Sequence, residues 1–245
     1  MGINGVSRKL IGFILGIGLL CLQGCKTYQP TDEAITALKG SETVSVEETS
    51  IGIAFLPQDP STLGFIFYPG ANVLAGSYAP TALDLAEQGI TTVIAKFPLN
   101  LAVITPNRAD DIRSSLPDVQ NWVVGGHSLG GVMAAQYLDE NQDDSALTGL
   151  ILFAAYPSNA NDLSTTNFSA LSLYGSEDNL TKPNDVISTT HLLPVGATLF
   201  EIEGGNHAQF GWYGEQDGDG TALISRALQQ SQIMEQLISF FNDFE

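Results

Sequence analysis

Eight short runs of apolar or alternating residues punctuate the chain between residues 43 and 202. The first two, at 43–47 and 51–56, alternate or run apolar in the manner of an antiparallel pair at a sheet edge. The next six lie at 65–68, 92–96, 122–124, 150–153, 170–174 and 197–202. Most of these are continuously apolar, the pattern of parallel strands buried on both faces. Segments of helical character separate them, at 78–87, 108–115, 128–140, 183–192 and 224–241, the last with apolar residues at helical spacing. This alternation predicts an α/β fold: a doubly wound, mostly parallel sheet with helices on both faces. In that architecture chemistry gathers at the carboxyl ends of the strands, so the loops after Tyr68, Lys96, Val124, Phe153, Tyr174 and Ile202 are the places to look.

The N-terminus obeys a different pattern. Arg8-Lys9 precede an apolar stretch over 10–22 that is too short to span a bilayer about 30 Å thick, and it ends in Leu22-Gln23-Gly24-Cys25. The segment resembles a bacterial lipoprotein signal, with Gln23 standing where a smaller residue is more common. That resemblance implies cleavage before Cys25, a lipid on Cys25 and, from Lys26 at the next position, sorting to the periplasmic face of the outer membrane. Residues 1–24 are thus expected to be a leader, 25–41 a polar tether and 42–245 one domain. About 220 mature residues suffice for a sizeable core. The formal charge of −18 becomes more negative once Arg8 and Lys9 are removed, which argues against nucleic acid and against electrostatic membrane binding. The expected membrane partner is reached only through the lipid on Cys25. Cys21 would leave with the leader, so no intramolecular disulfide and no cysteine zinc site is expected, and His127, His191 and His207 have no metal-binding spacing. No metal and no cofactor are expected.

Gly126-His127-Ser128-Leu129-Gly130 follows the apolar 122–124 run and leads into the small-residue segment Gly131-Val132-Met133-Ala134-Ala135. A strand driven through a sharp glycine-flanked turn into a helix is a nucleophile elbow, with the serine in a strained backbone conformation and the neighbouring chain packed close. Ser128 is the candidate nucleophile. A serine hydroxyl is nearly unreactive at neutral pH and needs an imidazole to take its proton, and that imidazole needs a carboxylate to fix its tautomer. The loop after Tyr174 offers Glu177 and Asp178; the loop after Ile202 offers His207 behind Glu203-Gly204-Gly205-Asn206. The chain order Ser, acid, His matches three strand ends that an open sheet brings together. An oxyanion hole needs two backbone donors. Leu129 N–H supplies one, and Ala71 or Asn72 in Tyr68-Pro69-Gly70-Ala71-Asn72-Val73 the other, with Ala71 preferred.

From about residue 51 to 241 the chain resembles the α/β-hydrolase superfamily, in particular its small bacterial members with little or no cap domain. Phe67-Tyr68-Pro69-Gly70, Gly125-Gly126-His127-Ser128-Leu129-Gly130-Gly131, Tyr174-Gly175-Ser176-Glu177-Asp178 and Glu203-Gly204-Gly205-Asn206-His207 carry the resemblance. Its Gly-x-x-Asp spacing favours Asp178 over Glu177 as the acid. The chain departs from many lipases in lacking a His-Gly-Gly-Gly segment, and from dienelactone hydrolases in having Ser128 where they carry cysteine. The expected activity is that of a serine hydrolase, foremost a carboxylesterase acting through an acyl-enzyme on Ser128 upon a small-molecule ester or acyl substrate. A peptidase, amidase or acyltransferase with the same triad, or a non-catalytic binding lipoprotein of this shape, are the alternatives.

The remaining features have structural readings. His127 is read as structural, and His191 as a favourable charge at a helix end. Glu215-Gln216-Asp217-Gly218-Asp219-Gly220 lacks the ligand series of a calcium loop and is read as a polar turn. Trp212 and Tyr213 either line the substrate entrance or pack a loop on the domain. Short connections after Lys96 and Phe153 leave no room for a large lid. Activity is expected to fall as His207 becomes protonated, roughly below pH 6 to 7.

Overall fold

The computed structural model describes residues 26–244; the expected leader and the lipid-bearing Cys25 lie outside the described residues. Eight strands form one sheet: β1 Val44–Glu48, β2 Gly52–Pro57, β3 Leu63–Tyr68, β4 Thr91–Ala95, β5 Asn121–His127, β6 Leu147–Phe153, β7 Ser169–Gly175 and β8 Thr198–Ile202. Their order is β1-β2-β4-β3-β5-β6-β7-β8. The β1–β2 and β2–β4 pairs are antiparallel and the rest parallel, so the edge hairpin and the parallel body stand as expected.

Period-two alternation inside the apolar runs explains why helices cover both faces. Phe65, Phe67, Val123, Ile151, Phe153, Leu171 and Leu173 join one buried cluster, whereas Ile66, Tyr68, Trp122, Val124, Leu150, Leu152 and Ala170 join the other. Helices α2 Ala79–Glu87 and α6 Arg226–Asn242 close the first face through residues such as Leu85, Ile233 and Leu237. Helices α3 Arg108–Ser115 and α4 Leu129–Glu140 close the second through Ile112, Met133 and Leu138. The Ser225 hydroxyl accepts the Leu228 N–H and caps α6. The segment expected over 183–192 divides into α5 Pro183–Ser188 and a separate turn at Thr190–Leu192.

The segment expected to be a polar tether is docked on the domain. Thr31 caps a short helix, α1 Asp32–Ala37, whose Ala37 enters the first core cluster. Ahead of it Tyr28 bridges to Val73, accepts the Leu74 N–H and donates its own to the Asn72 carbonyl. Apolar Ala34 and Ala37 on one side of α1 supply the burial that a polar reading of this stretch overlooks. Among the described residues no helix is long and apolar enough to cross a membrane.

Parallel pairing of β3 with β5 sets Tyr68 opposite Gly126, so the chain leaving β3 runs against the start of α4. A Cβ on Gly130 would lie on the carbonyl oxygens of Tyr68 and Pro69, both main-chain atoms that no rotamer change can move. Gly130→Ala is therefore expected to destabilise the fold at or above the top of the ~1–3 kcal/mol range for overpacking, read as a fall in the urea midpoint of unfolding.

Candidate active site

Strand β5 ends at His127 and α4 begins at Leu129, leaving Ser128 alone in the bend with φ 52 and ψ −124. Left-handed backbone of this kind costs a non-glycine residue on the order of 1–3 kcal/mol and persists only when surroundings impose it. Here they do. Ser128 N–H donates to the Phe153 carbonyl at 3.0 Å, and its own carbonyl accepts Val132 N–H at 3.2 Å. A Cβ on Gly126 would sit 2.6 Å from Tyr68 O, and one on Gly131 2.5 Å from Ala155 Cβ. Glycine at these positions lets the bend close, and Ser128 is left partly exposed at the sheet's carboxyl edge.

Asp178 and His207 meet as the chain order anticipated. Nδ1 of His207 lies 2.8 Å from Asp178 Oδ2, with both side chains fully buried. The second carboxylate oxygen, Oδ1, accepts N–H from Leu180 at 2.8 Å and Thr181 at 2.7 Å. A carboxylate so supplied accepts from the imidazole, which places the histidine proton on Nδ1 and leaves Nε2 as a base. Nε2 is buried and makes no hydrogen bond. Glu177 turns the other way and takes the Ser176 hydroxyl at 3.1 Å. Thus geometry selects Asp178 between the two acids, while no hydrogen bond joins the Ser128 hydroxyl to His207.

The expected oxyanion turn follows β3 directly. Asn72 N–H is committed to the Asn100 carbonyl at 3.0 Å, and Gly70 N–H donates to the Tyr78 hydroxyl at 3.1 Å. Between them Ala71 N–H has no acceptor, and neither has Leu129 N–H at the start of α4. These two amides are the pair proposed from the sequence, and hydrogen bonding removes Asn72 as an alternative. The Tyr78 hydroxyl is also 2.9 Å from His127 Nδ1. Burial pushes this hydroxyl up, so it remains a donor and gives its proton to Nδ1. Burial, and then the neighbouring His207, hold His127 well below the usual imidazole range. The His127 ring lies 4.4 Å, centroid to centroid, from that of His207. His127, adjacent to the serine, is thereby tied to Gly70, adjacent to Ala71.

Two residues that hold the histidine loop, Asp219 and Gln229, escaped the sequence reading as holders of it. Asp219 accepts N–H from Ala208 at 2.8 Å and from His207 at 3.3 Å. Burial raises its carboxyl above the usual range, with the Ala208 amide and His207 opposing the shift. Gln229 on α6 both accepts from Asn206 N–H and donates to Asn206 O, and Asn206 in turn donates to Gly220 O. The 215–220 segment is therefore more than a turn: it clamps the loop that carries His207. A polar run in which Asp217 and Asp219 alternate with glycines was the only signal, and it does not distinguish a clamp from a solvated bend. Trp212 and Tyr213 pack the same loop. Trp212 N–H donates to Ser77 O, its carbonyl accepts Thr31 N–H, and Tyr213 is buried with its hydroxyl on Gln216. His191 is exposed, with Nδ1 3.0 Å from Ser188 O at the end of α5. Among the described residues no cluster of three or more His, Cys, Asp or Glu is placed to hold a metal ion.

Residues 64–231 match the family described as the alpha/beta hydrolase family. No curated protein matches the sequence. Solved structures of similar shape include a predicted CIB-like hydrolase from Thermoplasma acidophilum, 16% identical with a TM-score of 0.59 over 79% of this chain and 98% of that one. A dienelactone hydrolase-like promiscuous phosphotriesterase from metagenomic libraries is 15% identical, with a TM-score of 0.59 over 81% and 99%. Est1E from Butyrivibrio proteoclasticus is 13% identical, with a TM-score of 0.56 over 82% and 100%. At these identities the likeness is one of fold.

Because the folded state holds His127 neutral while an unfolded chain would protonate it below about pH 6.5, the unfolded state binds more protons there and stability falls as pH drops through that value. The expected slope from this residue approaches 1.36 kcal/mol per pH unit at lower pH. Urea unfolding between pH 7 and pH 5 should show it, and His127→Gln should flatten it. Tyr78→Phe removes the donor to His127 and the acceptor for Gly70, and should cost about 1–3 kcal/mol at pH 7.

Proposed function

The chain belongs to the alpha/beta hydrolase family, and we propose that within it this protein is a serine carboxylesterase of the cell envelope, anchored through lipid on Cys25 at the periplasmic face of the outer membrane. The observation that carries the chemistry is the buried Asp178–His207 hydrogen bond, which directs a basic Nε2 away from the carboxylate. For turnover the Ser128 hydroxyl must come within hydrogen-bond reach of that nitrogen. His207 then takes the hydroxyl proton as Oγ attacks the ester carbonyl carbon. Negative charge collects on the former carbonyl oxygen, where the unpaired amides of Ala71 and Leu129 receive it. Collapse breaks the bond to the alcohol, which leaves with the proton from His207, and Ser128 holds the acyl group. Water, deprotonated by His207, then attacks the acyl carbon; the bond to Oγ breaks, Oγ regains the proton from His207, and the carboxylic acid leaves.

The expected size of the acyl group rests on access. The 154–168 connection between β6 and β7 contains no helix, and the 96–107 connection ahead of α3 holds only two single turns. Both leave the strand ends open, which suits small or exposed acyl groups. Metal plays no part in these steps, so EDTA is expected to leave turnover unchanged.

Treatment of the folded protein with a fluorophosphonate should add the probe's mass to the peptide bearing Ser128, and Ser128→Ala should abolish both labelling and ester turnover. An unlabelled serine together with no ester turnover would leave a binding lipoprotein. Hydrolysis of amides or transfer to acyl acceptors in preference to water, across a substrate panel, would redirect the reaction class. Asp178→Asn should lower kcat by about 10⁴ with little change in KM, because the histidine would then carry its proton on the wrong nitrogen.

A further inference from the structure

We infer that the rim carrying the oxyanion turn is a bilayer-contacting surface, so that the site serves esters presented at a membrane surface. For the reaction and the anchor this rests on the reading above; for the surface it rests on packing, exposure and charge. Three main chains lie side by side at the turn. Tyr28 N–H donates to Asn72 O at 2.8 Å, Leu74 N–H to Tyr28 O at 3.1 Å, and Asn72 N–H to Asn100 O at 3.0 Å. Cys25 is three residues before Tyr28, and three residues reach no more than about 10 Å. A lipid on that cysteine brings the membrane to the flank of Ala71.

The neighbouring loop is built to meet it. Leu99 is 78% exposed, and Val103 and Ile104 are each 44% exposed. Leu99 and Asn100 have φ 55 and 56, a left-handed backbone that asparagine tolerates and leucine does not favour. A large apolar side chain is thus held into solvent at a position where its own conformational preference opposes it. The carbonyl of the next residue, Asn100, secures the oxyanion turn, so the exposed Leu99 side chain stands beside the site without taking part in it. A cavity of about 540 Å³ opens among the same segments, with Leu38, Ile53, Leu74 and Phe97 on its wall beside the polar Glu48, Lys96 and Arg108.

Charge selects the same face. The chain carries 27 acidic residues, yet none occurs before Asp32, over 60–83 or over 88–109, and these are the three stretches that meet at the turn. Three carboxylates at its border are paired: Glu48 with Lys96, Asp111 with Arg108 and Asp217 with Lys26. Elsewhere net negative charge repels anionic headgroups, while this rim does not.

Two measurements on the full chain test the inference. With Ser128→Ala to block turnover, Leu99→Trp should show a blue shift in its added emission when phosphatidylcholine vesicles are mixed in, and quenching by a vesicle-borne quencher. Unchanged emission overturns the proposal. In the active protein, Leu99→Asn keeps a residue suited to the backbone and should lower hydrolysis of a vesicle-borne ester about tenfold, the size expected for one leucine withdrawn from an apolar phase. A water-soluble ester should be turned over as before. Equal loss on both substrates, or loss on neither, overturns the membrane role. An emission shift in protein that turns over no ester at all would uphold the surface and reject the hydrolase reading.

Discussion

The arrangement depends on one close main-chain approach, that of the Tyr68-Pro69-Gly70 segment to the glycines flanking Ser128. Parallel β3–β5 pairing brings the two chains level at their carboxyl ends, and the missing side chains of Gly126 and Gly130 let carbonyl oxygens of one rest against the backbone of the other. The strain of Ser128 and the position of the Ala71 amide follow from that contact. Tyr78 and His127 lock it from beneath, because a Cβ on Gly70 would lie 2.9 Å from His127 Nδ1. The candidate nucleophile Ser128 and the candidate oxyanion donor Ala71 are held by one interlock rather than by two independent loops.

Electrostatics add a second layer with a different logic. An unpaired buried carboxylate is costly, and removing a partner from a buried ion pair costs about 3–5 kcal/mol. Asp178 meets that penalty with two backbone amides on one oxygen and the imidazole on the other. It is therefore a stable acceptor that holds the histidine tautomer. Asp219 is less fully compensated, as the upward shift from burial indicates, yet its bonds to Ala208 and His207 fix the backbone that carries the ring. Under the proposed mechanism a neutral His127 matters, since a second positive ring 4.4 Å from His207 would oppose an imidazolium there.

How much of this could be read beforehand follows the range of the interactions. Strand and helix order came from local alternation, and the elbow from glycines at fixed offsets, so β3 to β8 and the Ser128 bend were legible. Asp178 was separable from Glu177 only by resemblance, because two adjacent acids differ in which faces inward and not in composition. The docked segment around Tyr28 was missed: its partners at Asn72 and Leu74 are backbone groups, which leave no mark on side-chain patterning. Gln229 and Asp219 were missed for a related reason, since each serves main-chain atoms far away in sequence and looks, locally, like an ordinary surface residue.

The same packing leaves the site with very few internal freedoms. The ring of His207 is fixed by Asp178, its backbone by Asp219 and its neighbour Asn206 by Gln229; Leu129 belongs to a helix, and Ala71 is flanked by two amides already engaged. Of the atoms that would take part in acyl transfer, the Ser128 oxygen is the one whose position is set by a single side-chain torsion. Turning one hydroxyl is a ps–ns event at a partly exposed residue. Rigid donors around a mobile nucleophile are what charge stabilisation in the transition state requires, because the surroundings then have no reorganisation left to perform when the charge appears.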